Sequence, residues 1–182
     1  MKRTVICLLA FAAAGLAAEK PKATIAKSYD GDLASAEKEI VSLAEAMPAD
    51  KYDFAPTMGE FSGVRTFGLQ MRHIASVNYE VAAAILGEKT PVEMGKNENG
   101  ADTLDNKDAI VKYLKDSFAY SHKAINTITE KNYLGEVKSP FGEGNATRAS
   151  LATIPAWHSF DHYGQAVVYA RMNGVIPPAS RH

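Results

Sequence analysis

Hydrophobic residues recur at three- and four-residue spacing in four separate parts of the chain. This spacing is typical of an amphipathic α-helix, because its apolar side chains return to one face about every 3.6 residues. The predicted helices cover residues 33–47, 63–86 and 107–131, and a fourth runs from Thr147 or Ser150 to about residue 173. No segment alternates convincingly between apolar and polar residues, so no strand is predicted.

Four helices that each carry one apolar stripe predict an all-α fold, a four-helix bundle of the up-and-down type. The segments 88–106 and 132–145 are rich in Gly, Pro, Asn and Asp, and they are long for connections between helices. We therefore expect them to cover an end of the bundle or to carry function. Pro155 is expected either to kink the last helix or to lie in its first turn.

The N-terminal residues have the pattern of a secretory signal peptide. Lys2 and Arg3 precede an uncharged run, residues 4–18, which Glu19 ends. This run is shorter than the roughly 20 apolar residues that span a membrane. We predict a signal peptide over residues 1–18 and one mature domain over residues 19–182.

The small residues Gly15 and Ala17 favour cleavage after Ala17, and cleavage after Ala14 or Ala18 stays open. The mature protein would then be exported, to the periplasm or outside the cell, with no stable membrane anchor.

Composition narrows the chemistry that the chain can perform. The 182 residues are 46% hydrophobic and 23% charged, with a formal net charge of -1, which is typical of an ordinary globular domain. Because no run of Lys and Arg occurs, we do not expect nucleic acid to be a partner. The single cysteine, Cys7, lies inside the predicted signal peptide. A metal in the mature protein would therefore need His, Asp or Glu ligands.

The last predicted helix carries the most informative polar residues. Its inner face is predicted to hold Leu151, Ile154, His158, His162, Gln165, Tyr169 and Met172. His158 and His162 are four residues apart, so their rings project from consecutive turns and can converge on one metal ion. His73, at the edge of the apolar stripe of the second helix, is a candidate third ligand. Three histidines would leave a coordination position open for water or substrate.

Two simpler interpretations of these residues stay open. The three histidines are alternatively core residues that hydrogen-bond to carbonyl or hydroxyl groups without any metal. Gln165 is either a group that contacts a ligand or cofactor, or an inward polar residue bonded to another helix. Trp157, just before the first histidine, is expected to pack within the bundle, and a place in the lining of the pocket is the alternative.

Several motifs together resemble the DinB-like family, the damage-inducible, metal-binding four-helix bundles. They are residues 54–57 (FAPT), 59–62 (GEFS), 71–75 (MRHIA), 158–165 (HSFDHYGQ) and 169–178 (YARMNGVIPP). The resemblance covers roughly residues 33–180, which is nearly the whole predicted mature chain. The ordered combination of motifs is far more specific than any one of them.

The resemblance implies a divalent metal, zinc or nickel, bound by His73, His158 and His162. The open triad favours a metal-dependent enzyme of transferase or hydrolase type that acts on a small molecule, and the resemblance suggests a homodimer. Related proteins include transferases that depend on the thiols bacillithiol or mycothiol. Export would remove this chain from the reducing compartment where such thiols are maintained, so the thiol is not carried over. The alternative function is a non-enzymatic helical bundle that binds a metal or a partner.

The signal peptide can be tested on the protein recovered from the exported fraction. N-terminal sequencing is expected to find a chain that begins between residues 15 and 19. An intact Met1 would contradict cleavage.

Overall fold

The computed structural model describes residues 23–181, which form four long helices and one small hairpin. The helices are α1 (Ile25–Ala46), α2 (Phe67–Leu86), α3 (Lys107–Ile125) and α4 (Arg148–Met172), and the hairpin consists of β1 (Glu136–Lys138) and β2 (Asn145–Thr147). Three short 3-10 turns, at residues 49–51, 96–98 and 178–180, lie between or after them. The all-α four-helix bundle is confirmed.

Side-chain N-caps decide where the helices begin. Thr24, Thr66, Asn106 and Thr147 each accept a hydrogen bond from a backbone N–H in the first turn that follows. Such a cap satisfies one of the donors that a helix leaves free at its start. Helix α1 consequently begins well before the predicted start at Leu33, and α2 begins at Phe67 rather than near Gly63. For α4, Thr147 rather than Ser150 is the cap.

Two local predictions were wrong. Helix α3 ends at Ile125 rather than near Lys131, because the next residues form tight turns in which the Ile128 N–H donates to the Ile125 carbonyl at 3.0 Å. Ile128 is nevertheless buried, which is why the helical pattern continued past the end of the helix. The absence of strands was also wrong, since β1 and β2 pair antiparallel within the last connection. Three-residue strands are too short to show alternation.

Neighbouring helices in the bundle do not simply alternate in direction. Helices α2 and α3 run parallel: Gly68 packs near Ile110 at one end, and Tyr120 donates to the Glu88 carboxylate at the other. Helices α2 and α4 run antiparallel, because Arg148 donates to the Ile85 carbonyl near the start of α4. The site described below lies between these two antiparallel helices.

Helix α1 completes the bundle between α3 and α4. It is antiparallel to α3, with Asp30 against His122 and Glu45 against Lys115. It runs parallel to α4, because Tyr29, near the start of α1, lines the same groove as Ala152, near the start of α4. The four helices therefore run up, down, down and up in chain order, so the predicted up-and-down order was wrong; helix directions depend on which apolar faces pack together.

The parallel pair α2 and α3 explains the length of the connection between them. A chain that leaves the end of α2 must return along the whole helix, about 30 Å, before α3 can begin in the same direction. Residues 87–106 make this crossover. Arg72 of α2 fastens it, donating to the carbonyl oxygens of Asn99 at 2.6 Å, Gly100 at 3.2 Å and Ala101 at 2.8 Å. The crossover is thereby held against α2.

Pro155 lies two turns inside α4, so it is not in the first turn, and the helix continues through it without a break. It is buried in the bundle, where its ring packs and its missing N–H leaves the Leu151 carbonyl without its usual helical donor.

The predicted signal peptide and its boundary at residues 18 and 19 lie outside the described residues. Within residues 23–181, no helix is both long enough and apolar enough to cross a membrane.

The crossover contains a close backbone approach that only glycine allows. A Cβ atom at Gly95 would lie 1.9 Å from the Gly100 carbonyl oxygen, and Gly95 also has a φ of 63°. Gly142 has a similar φ of 72° but no neighbour within 4 Å of its Cβ position. We expect Gly142→Ala to cost about 1 kcal/mol, from the left-handed backbone alone, and Gly95→Ala to cost more than about 2 kcal/mol.

Urea unfolding of both variants measures these costs. Equal losses of stability in the two variants would contradict the packing of the crossover described here.

Candidate metal centre

Three histidines from α2 and α4 meet in the groove between these antiparallel helices. The ring centroids lie 5.1 Å apart for His73 and His158, 5.1 Å for His73 and His162, and 4.7 Å for His158 and His162. One nitrogen of each ring lies within 4.8 Å of a nitrogen of the other two. The structure therefore brings together all three histidines that the sequence singled out.

Local helix geometry produces this convergence. His158 and His162 are one turn apart on α4, so they present two rings on the same side. Helix α2 crosses opposite them and supplies His73 from its buried face. His73 and His162 are each only 7% exposed, and His158 is partly buried. The rings therefore lie largely buried in the groove rather than on an open surface.

Neighbouring oxygen atoms orient two of the rings. Nδ1 of His73 lies 3.1 Å from the backbone carbonyl oxygen of Glu98, and Nδ1 of His162 lies 3.4 Å from Oε1 of Gln70. Because both partners are acceptors, each Nδ1 carries the proton and donates it. The lone pair of each ring is then at Nε2, which is free to bind a metal.

The electrostatic environment keeps the imidazoles neutral. Burial, followed by the nearby His162 and His73, lowers the pKa of His158 to about 3. Burial and the nearby His73 lower the pKa of His162 to about 4, and burial also lowers the pKa of His73. Neutral histidines at physiological pH are the form that binds metals, since protonation would occupy the lone pair.

One buried nitrogen of the triad indicates that the site could hold a ligand. Among the described residues, Nδ1 of His158 is shielded from solvent and has no hydrogen-bond partner. Buried polar atoms are nearly always satisfied in native proteins, so an orphan beside two other imidazoles is unusual for a purely structural cluster. The chemistry of the donor set also fits, because three imidazoles suit zinc and related divalent ions.

The crossover forms one wall of the site through a strained turn. Asn97 and Glu98 are consecutive non-glycine residues with positive φ, 55° and 57°. This conformation is unfavourable for residues with a Cβ atom. It aims the Glu98 carbonyl at His73, and Arg65 secures the same turn by donating to the Asn97 carbonyl and the Asn99 side chain.

A pocket of about 470 Å³ opens beside His162. Arg65, Gln70 and Gln165 form polar parts of its wall, and Asn97 and Asn99 of the crossover form another part. The volume is that of a small-molecule site. The triad therefore adjoins a cavity in which a small ligand fits.

Two residues lie elsewhere than the sequence predicted. Gln165 is exposed and donates to Asp161 on its own helix at 3.3 Å, so it lines the pocket without facing the core. The buried face of α4 passes through His162 and Ala166, which leaves Gln165 and Met172 outside it. Trp157 is 55% exposed and does not pack inside the bundle, although its ring lies 5.9 Å from that of His158.

Sequence reasoning missed Gln70, Arg65 and Glu98. Gln70 lies three residues before His73, and at helical spacing this places it on the same face of α2. A glutamine on an otherwise buried stripe was therefore a detectable signal. Arg65 lies before the helix and Glu98 acts through its backbone, so no periodic pattern marks either of them.

The family model described as the DinB superfamily matches residues 32–166. The match spans most of the chain, includes all three histidines, and agrees with the bundle and the site just described. The chain belongs to the DinB superfamily.

Solved structures share this fold at low sequence identity. A DinB-like protein, YjoA, from Bacillus subtilis has a TM-score of 0.62 and 18% identity, over 85% of this chain and 99% of that one. A conserved protein from Enterococcus faecalis has a TM-score of 0.65 and 13% identity, over 83% and 98%. YfiT from Bacillus subtilis, described as a probable metal-dependent hydrolase with an unusual four-helix bundle topology, has a TM-score of 0.58 and 16% identity, over 88% and 96%. No curated protein matches the chain.

The two glutamines of the pocket should differ in their effect on metal binding. Gln70→Ala removes the acceptor that orients His162, and loss of such a partner typically weakens metal binding about 10- to 100-fold. Gln165→Ala is the matched control, because its amide contacts only Asp161. Zinc affinity, measured by competition with a chelator, is expected to fall in the first variant alone. A loss of equal size in both variants would contradict these roles.

Proposed function

We propose that this chain binds one divalent metal ion through His73, His158 and His162 and acts as a metal-dependent enzyme on a small molecule. The single observation that carries the proposal is the convergence of three neutral imidazoles, one with an orphaned nitrogen, beside a pocket of ligand size. Structural metal sites are usually closed by four protein ligands, whereas three histidines are typical of a site that keeps a position for a reactant.

A bound divalent ion would supply Lewis acidity and lower the pKa of a coordinated water. The protein's own residues prepare the site for this chemistry. Gln70 and the Glu98 carbonyl hold two rings in one tautomer, which leaves the lone pair of each ring at Nε2. The pocket walls Gln165 and Arg65 present polar groups to a ligand that lies next to His162.

Hydrolysis is the reaction class that we favour over group transfer. YfiT, which has the same fold, is described as a probable metal-dependent hydrolase. Water is the reactant that a site exposed to solvent always has, whereas transfer would need a second substrate. Zinc or nickel is the proposed metal, because imidazole donors suit both ions and their relative affinity does not decide between them.

Export to the periplasm or the cell exterior belongs to the same proposal and rests on residues 1–18 alone. A homodimer is likewise proposed only from the family resemblance. The absence of a nucleic-acid partner stays a prediction from composition.

Elemental mass spectrometry of the purified protein tests the metal site. The wild type is expected to hold about one metal per chain after reconstitution with zinc or nickel, and His73→Ala, His158→Ala and His162→Ala are each expected to lose it. His122→Ala is the matched control, because His122 contacts Asp30 and Glu37 on α1, away from the triad.

A panel of ester, amide and phosphoester substrates then tests hydrolysis. Activity that requires the metal and disappears in His162→Ala supports the enzyme. One metal per chain with every coordination position occupied by a protein ligand would instead favour the non-enzymatic binding protein. No metal after reconstitution would overturn the proposal.

A further inference from the structure

Arg65 stands out among the groups around the pocket because it is the cationic side chain in its wall. It lies directly before the N-cap of α2, and its backbone carbonyl accepts a hydrogen bond from the Tyr169 hydroxyl at 3.4 Å. Its side chain is partly buried, and burial lowers its pKa. Partial burial of a charged group in a pocket wall is costly unless an opposite charge is brought to it.

The crossover uses only part of the guanidinium. Nε donates to Oδ1 of Asn99 at 2.9 Å, and Nη2 donates to the Asn97 carbonyl at 3.1 Å. An arginine has five N–H donors, so three remain without a partner among the described residues. Both bonds are to neutral oxygens, and no carboxylate lies within ion-pair distance of Arg65 in the described part of the chain.

The adjacent helix start does not supply further donors. The N–H groups of Phe67 and Gly68 donate to the carbonyls of Phe54 and Tyr52, at 2.9 and 2.7 Å. Those of Leu69 and Gln70 donate to Thr66, through its hydroxyl and its carbonyl. An anion in this pocket would therefore depend on the Arg65 side chain for its hydrogen bonds rather than on free backbone groups of α2.

We propose that Arg65 is a substrate-binding residue, which holds a carboxylate or phosphate group of a small molecule in the pocket beside the triad. The inference rests on the proposed function and names the substrate class of that site: a small molecule with one anionic group and a reacting group that lies toward His162. The planar fork of arginine fits either anion through two parallel hydrogen bonds. The nearby Glu98 carboxylate lies beyond ion-pair distance of Arg65, so it offsets part of the positive charge without occupying the free donors of the guanidinium.

The test uses acetate and inorganic phosphate as probes on the zinc-reconstituted protein. Binding is followed by calorimetry and by the NMR amide signals of Leu69 and Gln70, which line the pocket. Saturable binding of at least one probe to the wild type is expected, and the probe that binds identifies the anion. Arg65→Gln should weaken that binding about tenfold or more, while Arg65→Lys should retain part of it.

A matched variant separates recognition by Arg65 from a general change in charge. Lys112→Gln removes one exposed positive charge on α3, which pairs with Asp116 far from the pocket, and should have no effect.

The proposal is overturned if neither probe binds, if Arg65→Gln binds as well as the wild type, or if Lys112→Gln loses as much affinity as Arg65→Gln. The same titrations on metal-free protein distinguish a failure of the Arg65 proposal from a failure of the proposed metal site. If the wild type holds no zinc, the proposed function fails, whereas a loss of anion binding in Arg65→Gln would still support this role of Arg65.

Discussion

The antiparallel contact between α2 and α4 is the constraint on which the site depends. It places one histidine of α2 opposite two histidines of α4, at ring separations near 5 Å. Three polar rings in a bundle groove are unfavourable unless they are hydrogen-bonded or ligated. Two of the rings find acceptors in Gln70 and the Glu98 carbonyl, and His158 keeps an orphaned nitrogen. The packing of the bundle therefore creates a group of donors that a metal would complete.

The crossover connects the topology of the bundle to this chemistry. Because α2 and α3 are parallel, the chain must return along α2, and it passes the histidines on the way. Arg72 and Arg65 fasten it, and the positive φ of Asn97 and Glu98 turns a carbonyl toward His73. Backbone strain of this kind persists where the surrounding contacts enforce it. A connection that a simpler bundle would not need has become a wall of the site and of its pocket.

Much of this was predictable from local signals. The spacing of apolar residues predicted four helices, and the four-residue separation of His158 and His162, with His73 on another inner face, predicted the triad. The helix directions were not predictable, because they depend on which stripes pack together and not on the stripes themselves. The predicted inner face of α4 placed Gln165 in the core. The buried face instead passes through Ala166, one residue further along the chain. The contributions of Arg65 and the Glu98 carbonyl arise from a loop fold that has no periodicity.

The central claim is that three imidazoles bind one metal ion and leave a position open. X-ray absorption spectroscopy of the zinc-loaded protein tests it most directly, because the spectrum counts imidazole ligands and gives their distances. The account predicts three imidazole nitrogens at about 2.0–2.1 Å and at least one further oxygen ligand from solvent. Added azide is expected to replace this oxygen ligand. Fewer than three imidazoles, or a spectrum that no added ligand changes, would contradict it.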